Sequence, residues 1–212
     1  MFRNCTWRDR VRELLVPALV LAELLSGCSA PAEDFPETNE SGAAMRSEQL
    51  EESARPLSEE EILTAYQRAA ALCGWFELSP LPGDGSTVEL DGVTYRRVRY
   101  DGVETLEDLR TALRSVFSQE VTEELLATGG DVPMYRDIDG ALYVTGSGRS
   151  PDPSKGHTEI EVEQTGDASY AVNISIDLLD EDGETVTGVE CWSFPYAFVD
   201  DRWVFTDFKL FY

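Results

Sequence analysis

The sequence predicts an α+β domain with an antiparallel sheet, and three observations lead there. Apolar residues recur at helical spacing from Ile62 to Phe76, behind a Ser58-Glu59-Glu60-Glu61 capping pattern. Two short alternating runs are each broken by an Asp-Gly pair, the signature of a tight hairpin. The last third of the chain alternates apolar and polar residues over several long runs with no helical period.

Taken in order, the first element is an amphipathic helix whose apolar stripe is Ile62, Tyr66, Ala69, Cys73 and Phe76, ending near Gly74-Trp75-Phe76. The Pro/Gly loop SPLPGDGS leads to TVELDGVTYRRVRY, which folds into a hairpin at Asp91-Gly92. Thr105 caps a helix in TLEDLRTALRSVF, and Ser118 caps a second one, SQEVTEELLA, closed by Gly129-Gly130. A second hairpin, MYRDIDGALYV, turns at Asp139-Gly140. After the polar loop TGSGRSPDPSKGH the chain reads as a four-stranded antiparallel meander, 158–164, 169–179, 185–198 and 203–212, forming a curved sheet. Tyr170, Val172, Ile174, Ile176 and Leu178 share the inward face, with Asn173, Ser175 and Asp177 opposite in water. Trp192, Phe194, Tyr196 and Phe198 make an aromatic row on the next strand, joined by Trp203, Phe205, Phe208 and Phe211. Such rows build a core more often than they line a ligand groove.

The segment before this domain has a different character. Arg3, Arg8, Arg10 and Arg12 precede the apolar run Leu14 to Leu25, which is of signal length and short for a membrane span. Leu25-Ser26-Gly27-Cys28 resembles the lipobox of bacterial lipoproteins, which implies lipidation of Cys28 and cleavage on its N-terminal side. Asp9, Glu13, Glu23 and Pro17 are unusual in such a signal. The expected organisation is a signal peptide over 1–27, a disordered acidic tether over 28–56, and a single domain over 57–212. The protein is therefore expected on the extracytoplasmic face of a bacterial membrane, touching it through the lipid alone.

Charge narrows the partners. The chain carries 17 basic and 41 acidic residues, for a net charge of −24, and loss of residues 1–27 removes four bases and three acids. Nucleic-acid binding is excluded, because it depends on neutralising phosphates with Lys and Arg. Acidity confers solubility and also suits a basic protein partner.

Catalytic groups are sparse. His157 is the single histidine, in the loop PSKGH, and nothing near it has metal-ligand spacing. Cys73 and Cys191 lie on an expected helix face and strand, where one disulfide and two separately buried thiols are equally open. Asp177 with Asp207 is a conceivable carboxylate pair on neighbouring strands. Asp180-Glu181-Asp182-Gly183-Glu184 lacks the alternate oxygen ligands of a calcium loop and reads as a charged turn. No GxSxG, SxxK or phosphate-binding glycine loop occurs, and neither a metal nor a cofactor is implied. The loop 146–157 gathers Arg149, Lys155 and His157, and is the expected partner-binding element.

An N-terminal helix ending in CGWFEL, the hairpin GVTYRRVRY, the pair TLEDLRTALRSVFSQEVTEELL and the hairpin YRDIDGALYV together resemble the bacterial DL-endopeptidase inhibitor family, the IseA-like domains, over 62–212. Members of that family are extracytoplasmic proteins that obstruct the substrate cleft of peptidoglycan-cleaving cysteine endopeptidases of the NlpC/P60 type. The resemblance implies a non-enzymatic regulator of cell-wall turnover with a cell-wall hydrolase as partner. The lipid anchor and the extreme acidity depart from the family pattern, and no inhibitory residue can be carried over. The same scaffold pattern resembles a cone-shaped NTF2-like domain, which implies binding of a small ligand or wall fragment. A deep apolar pocket inside the sheet would favour that second reading, and a filled core with a polar loop the first.

Overall fold

A computed structural model describes residues 55–211. The expected signal peptide 1–27, the expected lipidation site Cys28 and the expected tether up to residue 54 lie outside the described residues.

The described chain has three helices and two four-stranded antiparallel sheets. Helix α1 spans Glu59–Glu77, one residue beyond the expected end. The Ser58 side chain accepts from the Glu61 amide while the Glu61 carboxylate accepts from the Ser58 amide, so two helix-end donors are satisfied reciprocally. Strands β1 (Gly83–Leu90) and β2 (Val93–Val98) form the first hairpin, and β3 (Tyr135–Ile138) and β4 (Ala141–Val144) the second. Both turns put Asp and Gly in left-handed backbone, Asp91 with Gly92 and Asp139 with Gly140, as a two-residue turn of this twist demands. The two hairpins join through β2 and β4 into one sheet of order β1-β2-β4-β3, a union the separate hairpin signals do not announce.

Between the hairpins lie α2 (Leu106–Arg114), capped by Thr105, and α3 (Gln119–Leu126), capped by Ser118. The second sheet is the meander β5 (Lys155–Gly166), β6 (Ser169–Leu179), β7 (Val186–Val199) and β8 (Arg202–Phe205). The first strand begins three residues earlier than expected, taking in His157, and the last ends at Phe205 instead of continuing to 212. After Phe205 the Thr206 amide bonds the Pro195 carbonyl, and the chain leaves the sheet edge to lay Phe208, Leu210 and Phe211 into the interior.

The core is continuous between the sheets. The N-terminal end of α1 meets the meander, where the Tyr170 hydroxyl accepts from the Leu57 amide at 3.0 Å, and Phe76 near its other end packs edge-on against Tyr135 of β3 at 5.0 Å. The register sets Trp192, Phe194 and Tyr196 opposite Ile174, Val172 and Tyr170, so the aromatic row shares the inward face with the aliphatic one. Phe208 touches the rings of Tyr66, Phe117, Phe194 and Phe205 at centroid distances of 5.8, 5.5, 4.7 and 5.2 Å. The other side of β6 departs from expectation: Asn173 and Ser175 are 3% and 4% exposed. Asn173 meets that burial by donating to the Glu163 carboxylate at 3.3 Å.

Candidate functional site

Arg149, Lys155 and His157 belong to one segment but have different surroundings. The Arg149 guanidinium lies 3.4 Å from the Glu77 carboxylate at the end of α1, and its amide bonds the Leu78 carbonyl at 2.9 Å. One residue earlier, a Cβ on Gly148 would collide with that same carbonyl, so only glycine lets the loop lie against the helix end. Lys155 forms an ion pair with Glu190 of β7, and both side chains are largely shielded. Asp152 takes the Ser154 amide at 2.9 Å and the Ser154 hydroxyl at 2.7 Å, and the Leu179 amide bonds the Ser154 carbonyl. Those bonds, with the nearby charges of Lys155 and Arg149, hold the Asp152 carboxyl below its ordinary range. His157 stands exposed on β5, in the register shift between Lys155 and Thr158. The loop is thus pinned at three places, two of its cations are met by carboxylates of the same chain, and His157 is left facing solvent.

The groups with nucleophilic or acid/base potential are arranged differently from the spacing in sequence. Cys73 is a free, buried thiol. Its sulfur lies 3.4 Å from the Glu77 carboxylate, and burial followed by that negative charge pushes the thiol up to about 12, far from the thiolate a nucleophile needs. Cys191 is disulfide-bonded, but not to Cys73. Asp177 sits on β6, whereas Asp207 follows β8, and β7 runs between those strands, so the two are not on neighbouring strands as the sequence suggests. The Asp180–Glu184 segment is a turn in which the Asp180 carboxylate accepts from the amides of Glu184 and Thr185, bonds that lower its pKa. Among the described residues no group of three or more His, Cys, Asp or Glu side chains is placed to hold a metal ion.

A further concave feature went unread in the sequence. Arg97, Arg99, Tyr100, Asp84, Asp101 and Glu104, with Val98, line an open groove of about 440 Å³. Its shape comes from a bulge. Gly83 pairs with Val98 and Thr87 with Arg96, so Asp84, Gly85 and Ser86 form an excursion of β1 opposite Arg97. Gly85 adopts a φ of 92°, and the Asp84 carboxylate accepts from the Ser86 amide at 2.7 Å. On the other side Tyr100 to Val103 form a turn with Gly102 at a φ of 80°. The signal was present: RRVR is dense positive charge in a chain of net charge −24. Its meaning depends on the bulge, hidden in what reads as a Pro/Gly loop.

No protein-family model matches this chain, and no curated protein matches it. Among the described residues, no helix is long and apolar enough to cross a membrane.

Proposed function

We propose that this protein is a lipid-anchored, non-enzymatic extracytoplasmic inhibitor that binds a peptidoglycan DL-endopeptidase of the NlpC/P60 type and so restrains cell-wall turnover. The observation that carries this reading is the filled inward face of the C-terminal meander. Phe194, Phe205, Phe208 and Phe211 are buried and pack against one another there, which supports a filled core over an internal ligand pocket. Recognition then falls to the surface. The loop 146–157 is suited to it because its bonds to Glu77, Leu78 and Glu190 fix its shape before any partner arrives. A fixed loop loses little conformational freedom on docking, which removes one of the costs a small interface must overcome. Anchoring through Cys28 raises the local concentration of the domain where wall hydrolases act, so modest intrinsic affinity suffices. The net negative charge speeds encounter with a basic enzyme and makes it sensitive to salt.

The test is hydrolysis of peptidoglycan by NlpC/P60-type enzymes of the same organism, with and without the protein, at low and high salt. Inhibition should weaken as salt rises. Ser150→Arg and His157→Ala alter exposed positions outside the pinning bonds, and each should leave the fold intact while raising the inhibitory concentration by about tenfold, the effect of a contact of roughly 1.4 kcal/mol. If the protein neither binds nor slows any such enzyme, the proposal fails.

A further inference from the structure

In a chain with so many carboxylates, most cations of the domain find a local partner, Arg68 on α1 being an exception outside the groove. Arg110 pairs with Glu107 and Glu123, Arg114 with Glu123, Arg136 with Asp91, and Arg149 and Lys155 as described. Lys209 lies over the Trp192 ring at 3.7 Å, Arg202 donates to the Arg114 carbonyl, and Arg96 donates to the Gly146 carbonyl. The guanidinium groups of Arg97 and Arg99 make no contact ion pair or hydrogen bond among the described residues; their charges help to lower the Asp84 carboxyl from a distance, after its bond from the Ser86 amide, and Asp101 and Glu104 share the groove. Guanidinium groups that attract a carboxylate only from a distance keep their donor forks open to an incoming group.

The backbone holding these side chains is fixed. The Arg99 amide bonds the Pro82 carbonyl at 2.8 Å, the Val103 amide bonds the Tyr100 carbonyl at 3.0 Å, and the Leu142 amide of β4 bonds the Glu104 carbonyl at 2.8 Å. A Cβ at Gly83 would stand 3.0 Å from the Arg97 carbonyl, so the bulge is tightly seated on β2. Tyr100 packs edge-on against Trp75 at 5.2 Å and is still 41% exposed, which holds its ring while leaving it open to a ligand. Val98, between the two arginines, is buried in the core and anchors the strand beneath the groove.

We propose that this groove binds a small zwitterion: an amino acid or short peptide carrying both a free carboxylate and a free ammonium group. Arginine forks match a carboxylate bidentately, so Arg97 and Arg99 take the acid end. Asp101 and Glu104 provide the counter-charge for the ammonium, and the Tyr100 ring covers the aliphatic part. A simple polyanion would meet three carboxylates in the same groove and be repelled by them. The groove involves neither the loop 146–157 nor the filled face of the meander, so it stands or falls apart from the inhibitor reading.

The experiment is NMR titration of the full chain with unblocked alanyl-alanine, its N-acetyl form, its C-terminal amide and inorganic phosphate. The unblocked dipeptide should shift the side-chain signals of Arg97, Arg99 and Tyr100 saturably, and either blocking group should weaken binding at least about tenfold, the scale of one lost charge-assisted hydrogen bond. Arg97→Gln and Arg99→Gln, both at exposed positions, should each weaken the dipeptide by a similar factor, while Arg97→Lys should retain part of it. Phosphate binding as tightly as the dipeptide would reduce the groove to a plain anion site and overturn the proposal. Equal binding of blocked and unblocked forms, or no shift with any probe, would overturn it too.

Discussion

Cys73 lies one helical turn before Glu77 on the buried side of α1, and that neighbour shapes its chemistry. Burial and the adjacent carboxylate both penalise the thiolate, moving the thiol from 9.0 to about 12. At pH 8 its thiolate population should lie far below that of an ordinary cysteine. Peptide mapping after iodoacetamide treatment should leave Cys73 unmodified in the folded protein and modified in denaturant; ready modification of the folded form would show the site to be open. Glu77 itself reaches further than the sequence indicates. It meets Arg149 from 72 residues away and the Leu210 amide from 133 residues away, at 3.5 Å, tying helix end, loop and C-terminal tail together. Its place at the end of an apolar stripe was readable, but those partners were not, since no local pattern encodes contacts across such separations. The same holds for Lys155 and Glu190, whose pairing follows from a register 35 residues apart.

Among elements, those specified by local chemistry were legible and those specified by tertiary contact were not. Ser58, Thr105 and Ser118 cap the three helices they were expected to cap, because a side-chain oxygen before an amphipathic run has one helix-end amide to satisfy. Asp-Gly turns likewise determine their hairpins. The final strand shows where pattern fails: aromatic residues continue past Phe205, but Phe208 and Phe211 turn inward as a plug. The groove at Arg97 and Arg99 stayed hidden for a related reason, since the Asp84–Ser86 excursion is a feature of pairing and not of composition. The plug makes a strong prediction for the C-terminal segment. Phe208 is buried against four aromatic rings contributed by α1, the link between α2 and α3, β7 and β8, so truncating it opens a cavity that no single element can close. Phe208→Ala should destabilise the fold by about 3–5 kcal/mol, measured by urea denaturation. A loss below about 1 kcal/mol would mean the tail does not contribute to the core as described.

For the whole molecule, a net charge of −24 acts against the specific bonds made by individual carboxylates, and pH separates the two. Between pH 7 and about 5, the first protons taken up reduce self-repulsion, which favours the compact state. Glu61 behaves oppositely. The Arg55 guanidinium at 2.6 Å and the Ser58 amide and hydroxyl hold its carboxyl at about 2 against an ordinary 4.5. A depressed folded pKa stabilises above the unfolded value, and that contribution is lost as pH falls from 4.5 toward about 2. Asp84, Asp108, Asp152 and Asp180 are lowered by backbone and side-chain hydrogen bonds and act in the same sense below their ordinary 3.8. On the alkaline side burial raises Tyr135 and Tyr196 from 10.0 to about 12, so their contribution is present below 10 and lost as pH climbs through that interval. The melting temperature should therefore rise from pH 7 to about 5, fall below about 4.5, and fall again above about 10. Added salt should raise it at pH 7 and matter less near pH 5, where less charge remains to screen. Glu61→Gln removes the strongly depressed group and should flatten part of the acid limb; because the Glu61 charge also helps to raise Tyr196, it should ease the alkaline limb slightly as well. A melting temperature that falls steadily from pH 7 to 4 and ignores salt would show that repulsion among the carboxylates is not the main pH-dependent cost of this fold.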